Sequence, residues 1–250
     1  MVRDLNRKRW LAAACGTALA IGCHAGTALG LEIITVRSGQ SGGSPGTPGM
    51  FDDTVRYNPW GNPTGPISAS AFTASDFAAT ASGPAAVVVD PGPWMGGAVA
   101  PLTDPLARWI NFGMTGINGA PGSALYAVPF WVNTTTITSA TITFEGGADE
   151  ILGDWWPGFG GGGPNPDGVY INGVGLGYMY QGFNFAFATT HTQSITTLVN
   201  PGLNHLYFYQ RDLTSGLSGI IFSATIEVVP APGSTGLLAL AGLAAGRRRR

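Results

Sequence analysis

The stretch IIFSATIEV, residues 220–228, is the sequence feature that most constrains the fold. Every second side chain in it is apolar, and alternate side chains of a β-strand point to the same face of a sheet. The residues that would share this face are Ile220, Phe222, Ala224, Ile226 and Val228. This pattern predicts a β-strand with one buried face.

Composition favours an all-β chain. The 250 residues include 39 Gly and 18 Pro but a single lysine, and only 10% are charged. Such a chain forms many turns and few long surface helices. Candidate strands lie at residues 85–89, 107–112, 124–132, 136–144, 168–171, 183–188, 194–199, 204–210 and 219–228. Strands of this length, separated by Gly, Pro and Asn, predict a β-sandwich or a barrel.

Two turns can be placed from residue type. Asn172 and Gly173 form the preferred pair for a two-residue type I′ turn, because both positions of that turn adopt positive φ. Pro201 and Gly202 predict a second turn just before a strand, and Asn204 can bond to the backbone there. Both predictions are structural.

The first thirty residues have the features of an export signal. Basic residues up to Arg9 precede the apolar run WLAAACGTALAIGC, and small residues suited to cleavage follow at 25–30. We therefore interpret residues 1–30 as a signal peptide, which implies cleavage by signal peptidase. Two alternatives remain, an uncleaved membrane anchor and a lipoprotein signal that presents Cys23 for lipid attachment.

The mature body is predicted to be acidic and free of cysteine. Cys15 and Cys23 both lie in the signal region, so its removal leaves no disulfide or thiolate site. Between residues 31 and 229 there are four basic and thirteen acidic side chains, which argues against nucleic-acid binding. We divide the body into a Gly/Pro-rich irregular lead-in, 31–60, and a β-sandwich cargo domain, 61–229.

The C-terminal tail, residues 230–250, has three parts. Its first and last parts are Pro230, Ala231, Pro232 and Gly233, and Arg247, Arg248, Arg249 and Arg250. The apolar segment 235–246 between them would span about 18 Å as a helix, against roughly 30 Å of hydrocarbon. The arginines would stay on the cytoplasmic side of a membrane and hold the body outside it. A buried or amphipathic C-terminal helix is the alternative, but it would not normally end in four arginines.

The tail resembles a PEP-CTERM sorting signal, in which a Pro-x-Pro-like motif, a short apolar helix and an Arg cluster occur in this order. The motif here is PAPG, and this Ala variant resembles one seen in planctomycete-like bacteria. The resemblance implies an exported protein that its C-terminal helix holds transiently in the inner membrane. It also implies an exosortase-like enzyme that cuts at the motif, and a final location at the cell surface or outside the cell.

The order of motifs in the body is similar to that of galactose-binding-like jelly rolls. A Trp-Ile strand, an Asp after a long strand, an Asn-Gly hairpin and two further Gly-containing strands follow one another. The matching residues are Trp109, Ile110, Asp149, Asn172, Gly173, Gly202, Leu203, Asn204, Leu206, Gly216 and Leu217. This resemblance implies a jelly-roll-like antiparallel β-sandwich.

The Gly-rich stretch 145–168 holds the candidate ligand-binding side chains. Aromatic rings that could stack on a sugar are Trp155, Trp156 and Phe159. Carboxylates that could form an oxygen cage for Ca²⁺ are Asp149, Glu150, Asp154 and Asp167. Their spacing does not match an EF-hand loop, and the alternative is a solvated loop whose Trp rings fold back on the sheet.

The sequence shows no catalytic constellation. His191 and His205 stand outside any recognisable nucleophile or metal motif. Two function classes remain. The first is a structural or adhesive protein of the cell surface or extracellular matrix that binds polysaccharide. The second is a secreted polysaccharide hydrolase with an unrecognised site. We predict the first, without enzymatic activity.

The sorting interpretation predicts the mass of the mature protein. Protein recovered from its native host should begin after residues 25–30 and end near residues 230–233, and it should lie outside the inner membrane. Intact-mass measurement of membrane, cell-surface and medium fractions checks both ends. A membrane-bound species that keeps Arg247–Arg250 would instead show that the tail is a permanent anchor.

Overall fold

The computed structural model describes residues 30–59, 70–90, 102–114, 116–118, 122–149, 151–154, 163–177, 188–212 and 216–231. The strands in these ranges are β1 (Glu32–Arg37), β2 (Gln40–Ser41), β3 (Ser44–Pro45), β4 (Phe51–Pro59), β5 (Ala85–Val88), β6 (Ile110–Asn111), β7 (Ile117–Asn118), β8 (Gly122–Val132), β9 (Ile137–Ala148), β10 (Ile151–Leu152), β11 (Val169–Ile171), β12 (Val174–Gly175), β13 (Thr189–Ser194), β14 (Gly202–Asp212), β15 (Gly216–Leu217) and β16 (Ile220–Pro230). One helix, α1 (Ala74–Ala81), occurs in the same ranges. The predicted all-β class is confirmed for this part of the chain.

Twelve of the strands form one antiparallel sheet. Its strand order is β12-β11-β14-β8-β4-β5-β6-β16-β9-β13, with β1 added beside β16 and β10 beside β14. The longest ladders join β14 to β8 and β16 to β9, and each of these four strands has eleven or twelve residues. These two pairs form the centres of the two halves of the sheet.

The sheet curls so that its two halves face each other across one apolar core. Phe208 on β14 stacks on Phe222 of β16 with ring centroids 4.1 Å apart, although four strands separate β14 from β16 in sheet order. Phe144 on β9 approaches the same Phe208 ring at 5.3 Å. The described part of the chain is therefore a β-sandwich-like curled sheet, a coarser description than the jelly roll that the motif order implies.

The face predicted for residues 220–228 is confirmed. The five alternate apolar residues of β16 are all buried: Ile220, Phe222, Ala224, Ile226 and Val228. On the other face of the strand Thr225 is half-buried and Glu227 is exposed. The alternation of apolar residues in this stretch therefore predicted correctly which side chains of β16 face the core.

The Gly and Pro content of the lead-in 31–60 predicted an irregular segment, but its described residues form strands. Strand β1 pairs along its whole length with β16, and β4 pairs with both β5 and β8. The β2–β3 hairpin is held to β4 by Asp52, whose carboxylate accepts hydrogen bonds from the backbone N–H groups of Gly39 and Gln40. Pairing with distant strands therefore outweighs the local turn propensity of this segment.

Two predicted strands need correction. The first is the strand predicted at 194–199. Strand β13 ends at Ser194, and residues 195–199 form a turn closed by a hydrogen bond from the Leu198 N–H to the Ile195 carbonyl. The predicted strand 107–112 shortens to Ile110–Asn111, because Arg108 instead donates its N–H to the Ser38 carbonyl. Most of the predicted strand 183–188 lies outside the described residues.

Both predicted turns are confirmed. Asn172 and Gly173 have φ values of 51° and 85°, and they connect β11 to β12 as a two-residue hairpin turn. At the start of β14 Gly202 has a φ of 89°, and the Asn204 side chain accepts from the Asn200 N–H at 2.8 Å and donates to the Asn200 carbonyl at 2.7 Å. Asn204 thereby fixes the point at which this long strand begins.

Helix α1 covers part of the outer face of the sheet. Thr73 caps its N-terminus and pairs reciprocally with Asp76, which satisfies backbone donors that the first turn leaves free. Phe77 is buried against the aromatic residues Tyr170 and Tyr207 of β11 and β14. Across the described ranges, no helix is both long and apolar enough to span a bilayer.

Replacement of Phe208 tests whether its stacked ring holds the two halves of the sheet together. Phe208→Ala should lower the free energy of unfolding by about 3–5 kcal/mol, because it removes a fully buried ring between the two halves. Urea unfolding checks this value. The exposed neighbour Leu203, on the same strand, provides a control, and its replacement by Ala should change the free energy by less than about 0.5 kcal/mol. Equal effects of the two substitutions would contradict the role given to Phe208.

Candidate functional site

A groove lies between helix α1 and the outer face of the sheet. Its volume is about 690 Å³. The side chains that define its chemistry are Phe72, Phe77, Ser82, Asn172, His205 and Tyr207. The groove therefore combines aromatic walls with a few polar groups, as small-molecule and glycan sites commonly do.

The groove is lined by packed aromatic rings. Phe77 lies edge-on to Tyr207 with ring centroids 4.8 Å apart, and Phe72 contacts Tyr209 at the same distance. Tyr207 and Tyr209 are almost fully buried, so their positions are fixed by the sheet below them. Interlocked rings of this kind make a rigid surface, which costs little conformational entropy when a ligand binds.

An exposed apolar strip continues from the groove along β8 and β14. Trp131 and Leu203 are directly opposite each other in the ladder, and their exposed fractions are 58% and 55%. His205 lies two residues further along β14 on the same face, opposite the exposed Pro129, and it also lines the groove. We call these four residues the Trp131 strip. His205 belongs to both the strip and the groove, so the two form one continuous surface.

The polar groups of this surface are held in place. The Asn172 amide donates to the Leu198 carbonyl and to Asn204 Oδ1, both at 2.8 Å, and its own Oδ1 accepts from the His205 N–H. Burial lowers the pKa of His205, so the imidazole is neutral at pH 7. A neutral imidazole offers one donor and one acceptor, which suits pairing with hydroxyl groups.

Asp154, predicted as a calcium ligand, lies in a buried network beneath the groove. Its Oδ1 lies 3.4 Å from Nε of Arg211, and both side chains are fully buried. The Tyr209 hydroxyl donates to Oδ1 at 3.3 Å, and the Asn165 N–H donates to Oδ2 at 3.1 Å. The carboxylate is thus engaged by protein donors and one arginine, which gives it a structural role.

This network also positions one wall of the groove. Asn165 accepts the N–H of Phe72 at 2.7 Å and donates to the Ser70 carbonyl at 2.9 Å. The segment that carries Phe72 and leads into α1 is therefore tied to the side chain of Asn165, whose backbone N–H bonds Asp154. The sequence singles out Asp154 as a candidate ligand, but its ion pair with Arg211 could not be foreseen, because Arg211 is distant in the chain.

Two other predicted calcium ligands, Asp149 and Asp167, belong to the described residues. Asp149 is buried, and its N–H donates to the Gly219 carbonyl at 2.9 Å. Burial raises the pKa of Asp167, although a hydrogen bond from the Gly177 backbone acts against this shift. Within the described ranges, no three His, Cys, Asp or Glu side chains come together as metal ligands would. Glu150, Trp155, Trp156 and Phe159 lie outside those ranges.

The sorting motif is described only at its start. Pro230 is buried and ends β16, where it pairs with Ile137. The Ala231 N–H then donates to the Thr136 carbonyl at 3.1 Å. Pro232, Gly233 and the four arginines Arg247–Arg250 lie outside the described residues.

Sequence reasoning missed Trp131 as a ligand-binding candidate. The stretch AVPFWV has alternating side chains. The buried face carries Val128, Phe130 and Val132, and Trp131 lies on the outer face. A large ring in the outward phase is a signal that could have been read from the sequence. The neighbours Leu203 and His205 could not, because their place beside Trp131 depends on how β8 and β14 pair.

Comparison with known proteins finds distant structural likeness but no sequence match. No protein-family model matches the sequence, and no curated protein matches it either. One similar solved structure is the native structure of a family 35 carbohydrate binding module from Clostridium thermocellum. It is 11% identical, the match covers 51% of this chain and 82% of that chain, and the TM-score is 0.27. A likeness at that TM-score carries no argument about this chain.

The buried network predicts a large loss of stability for Asp154→Ala. The substitution leaves the Arg211 guanidinium buried without its carboxylate, which should cost about 3–5 kcal/mol in the free energy of unfolding. Tyr170→Phe is the matched control nearby, since the buried Tyr170 hydroxyl has no hydrogen-bond partner among the described residues and its loss should not lower stability. Thermal or urea unfolding checks both. An Asp154→Ala protein as stable as its parent would contradict the network.

Proposed function

We propose that this protein is exported to the cell surface or extracellular matrix and binds polysaccharide there. In this proposal signal peptidase removes residues 1–30. The tail 230–250 holds the chain transiently in the inner membrane until an exosortase-like enzyme processes it. The basic N-terminal region, the acidic body and the three-part tail with its terminal arginines support this route.

The exposed Trp131 ring, in line with the groove, is the observation that carries the binding function. Trp131, which is 58% exposed, lies beside the exposed Leu203 and near the exposed Pro129, and contiguous exposed apolar patches of this kind mark binding sites. The C–H faces of sugar rings are apolar and pack on aromatic rings, whereas their hydroxyls need polar partners. The Trp131 strip and the groove supply both kinds of contact.

The length of the surface supports a polymer. Leu203 and Tyr207 mark its extent along β14, and four residues of a strand span about 13 Å. This length exceeds a single sugar ring, so neighbouring units of one chain can occupy the strip and the groove together. A polysaccharide would then bind across β8 and β14, with its apolar faces on Trp131.

A secreted hydrolase remains the second candidate function. Hydrolysis of a glycosidic bond normally needs two carboxyl groups set across the scissile bond. The described side chains that line the groove are apolar, aromatic, hydroxyl, amide or imidazole groups and include no carboxylate. This composition supports binding rather than hydrolysis at the groove.

Trp131→Ala should weaken polysaccharide binding at least tenfold, a loss of about 1.4 kcal/mol in binding free energy. The purified full-length protein would be tested by affinity electrophoresis against soluble plant and bacterial polysaccharides, and by sedimentation with insoluble cellulose and chitin. Phe51→Ala is the matched control, because Phe51 is also 58% exposed and lies on β4 outside the strip and groove.

Three outcomes would contradict this proposal. Equal losses in the Trp131 and Phe51 variants would mean that general surface hydrophobicity causes retention. Absence of retention on every polysaccharide would remove the binding function. Release of reducing sugars by the unmodified protein, measured in the same samples, would favour the hydrolase.

A further inference from the structure

A second pocket lies on the opposite half of the sheet, on the outer face of β1, β16, β9 and β13. Strand register places Arg37 beside Ser223, Ser223 beside Glu145 and Glu145 beside Thr190. The next row along the strands consists entirely of threonines: Thr35, Thr225, Thr143 and Thr192. This face presents hydroxyls and charges, in contrast to the aromatic groove.

The segment just before β6 closes one side of this face. Thr103 donates its N–H and its hydroxyl to Glu145 Oε2, at 2.8 and 2.6 Å. Asp104 Oδ2 accepts from Arg37 Nε and from the Ser223 hydroxyl, each at 2.7 Å. A pocket of about 300 Å³ is left between this segment and the threonine row. Its walls are therefore built from side chains that hold one another in position.

Glu145 is the most informative group in the pocket. Only 9% of its surface is exposed, and both hydrogen bonds that it accepts use Oε2. Its other oxygen, Oε1, accepts no hydrogen bond from the described residues. Glu145 is therefore a largely buried carboxylate whose Oε1 remains open to the pocket, where it can accept a hydrogen bond from a ligand.

Arg37 supplies the complementary donor. Its Nε is bonded to Asp104, while its two terminal nitrogens make no hydrogen bond with the described residues. Burial would raise the pKa of Asp104, but hydrogen bonds from Ser223, Arg37 and the Leu106 backbone hold this pKa below its usual value. Asp104 is therefore ionised at neutral pH and balances the charge of Arg37.

The remaining groups select the kind of ligand. The pocket offers guanidinium N–H donors, the carboxylates of Asp104 and Glu145, and several threonine hydroxyls that can donate or accept. Both Asp104 oxygens already accept hydrogen bonds, so Glu145 Oε1 is the acceptor left for a ligand. An anion would meet the carboxylate of Glu145, and a cation would meet the guanidinium of Arg37. A neutral molecule with adjacent hydroxyls avoids both repulsions and can donate to one group while it accepts from the other.

We infer that this pocket binds one neutral sugar ring, with a ring hydroxyl donating to Glu145 Oε1 and a neighbouring hydroxyl accepting from Arg37. The volume of about 300 Å³ suits one ring and not a polymer segment. This inference goes beyond the proposed polysaccharide site, because the pocket lies on β1, β9, β13 and β16, whereas the Trp131 strip lies on β8 and β14. The two sites can therefore succeed or fail separately.

The test is calorimetric titration of the purified full-length protein with small sugars. The probes are the methyl glycosides of glucose, galactose and mannose, with glucuronate and glucosamine as charged counterparts. We expect at least one neutral glycoside to bind, and Glu145→Gln to weaken it at least tenfold. Glu227→Gln is the matched control, because Glu227 is exposed on the same outer face of β16, and it should leave binding unchanged.

Two further variants keep the test decisive. Thr225→Val removes one pocket hydroxyl at nearly constant shape, and it should also weaken binding if Glu145→Gln does not fold. Titration of the Trp131→Ala protein with the same glycosides separates this pocket from the groove, because loss of all glycoside binding in that variant would place the sugar on the Trp131 strip and overturn the inference. Binding of glucuronate or glucosamine alone, no binding of any neutral glycoside, or equal affinities in the Glu145, Thr225 and Glu227 variants would each overturn the inference.

Discussion

The contact between Phe208 and Phe222 is the interaction on which the rest of the structure depends. It joins β14 to β16 across the core, and these strands lie in different halves of one curled sheet. Closure of the sheet in this way buries the alternate apolar side chains of both halves together. It also fixes which side chains remain outside, so the two outer faces that could meet ligands are a consequence of this packing.

The two outer faces of the sheet differ in the side chains that they present to solvent. On β8, β11 and β14 large rings face outward, and helix α1 covers most of them while Trp131 stays in water. On β1, β9, β13 and β16 threonine is the commonest outward residue, and Arg37 and Glu145 lie beside the threonine row. One face is therefore suited to stacking against apolar surfaces and the other to hydrogen bonding with hydroxyls.

Much of the fold was predictable from local patterns. The long strands β8, β14 and β16 follow apolar alternation, and the Asn172–Gly173 turn follows from the need for positive φ. The strands of the lead-in were not predictable, because Gly and Pro dominate that segment and its pairing partners lie far along the chain. The strand predicted at 194–199 was wrong for a different reason. Its apolar residues are buried as a strand's would be, but they are buried in a turn that contacts with neighbouring segments stabilise.

The sequence by itself determined the class of the protein, the inward phase of its long strands, its tightest hairpin and the export signals expected at its ends. Those features depend on neighbouring residues, whose geometry is set by backbone sterics and side-chain alternation. Only the tertiary structure decided that Asp154 pairs with Arg211, that Trp131 adjoins Leu203 and His205, and that Glu145 shares a pocket with Arg37. Each of these arrangements joins residues distant in the chain, and the register of the curled sheet brings them together.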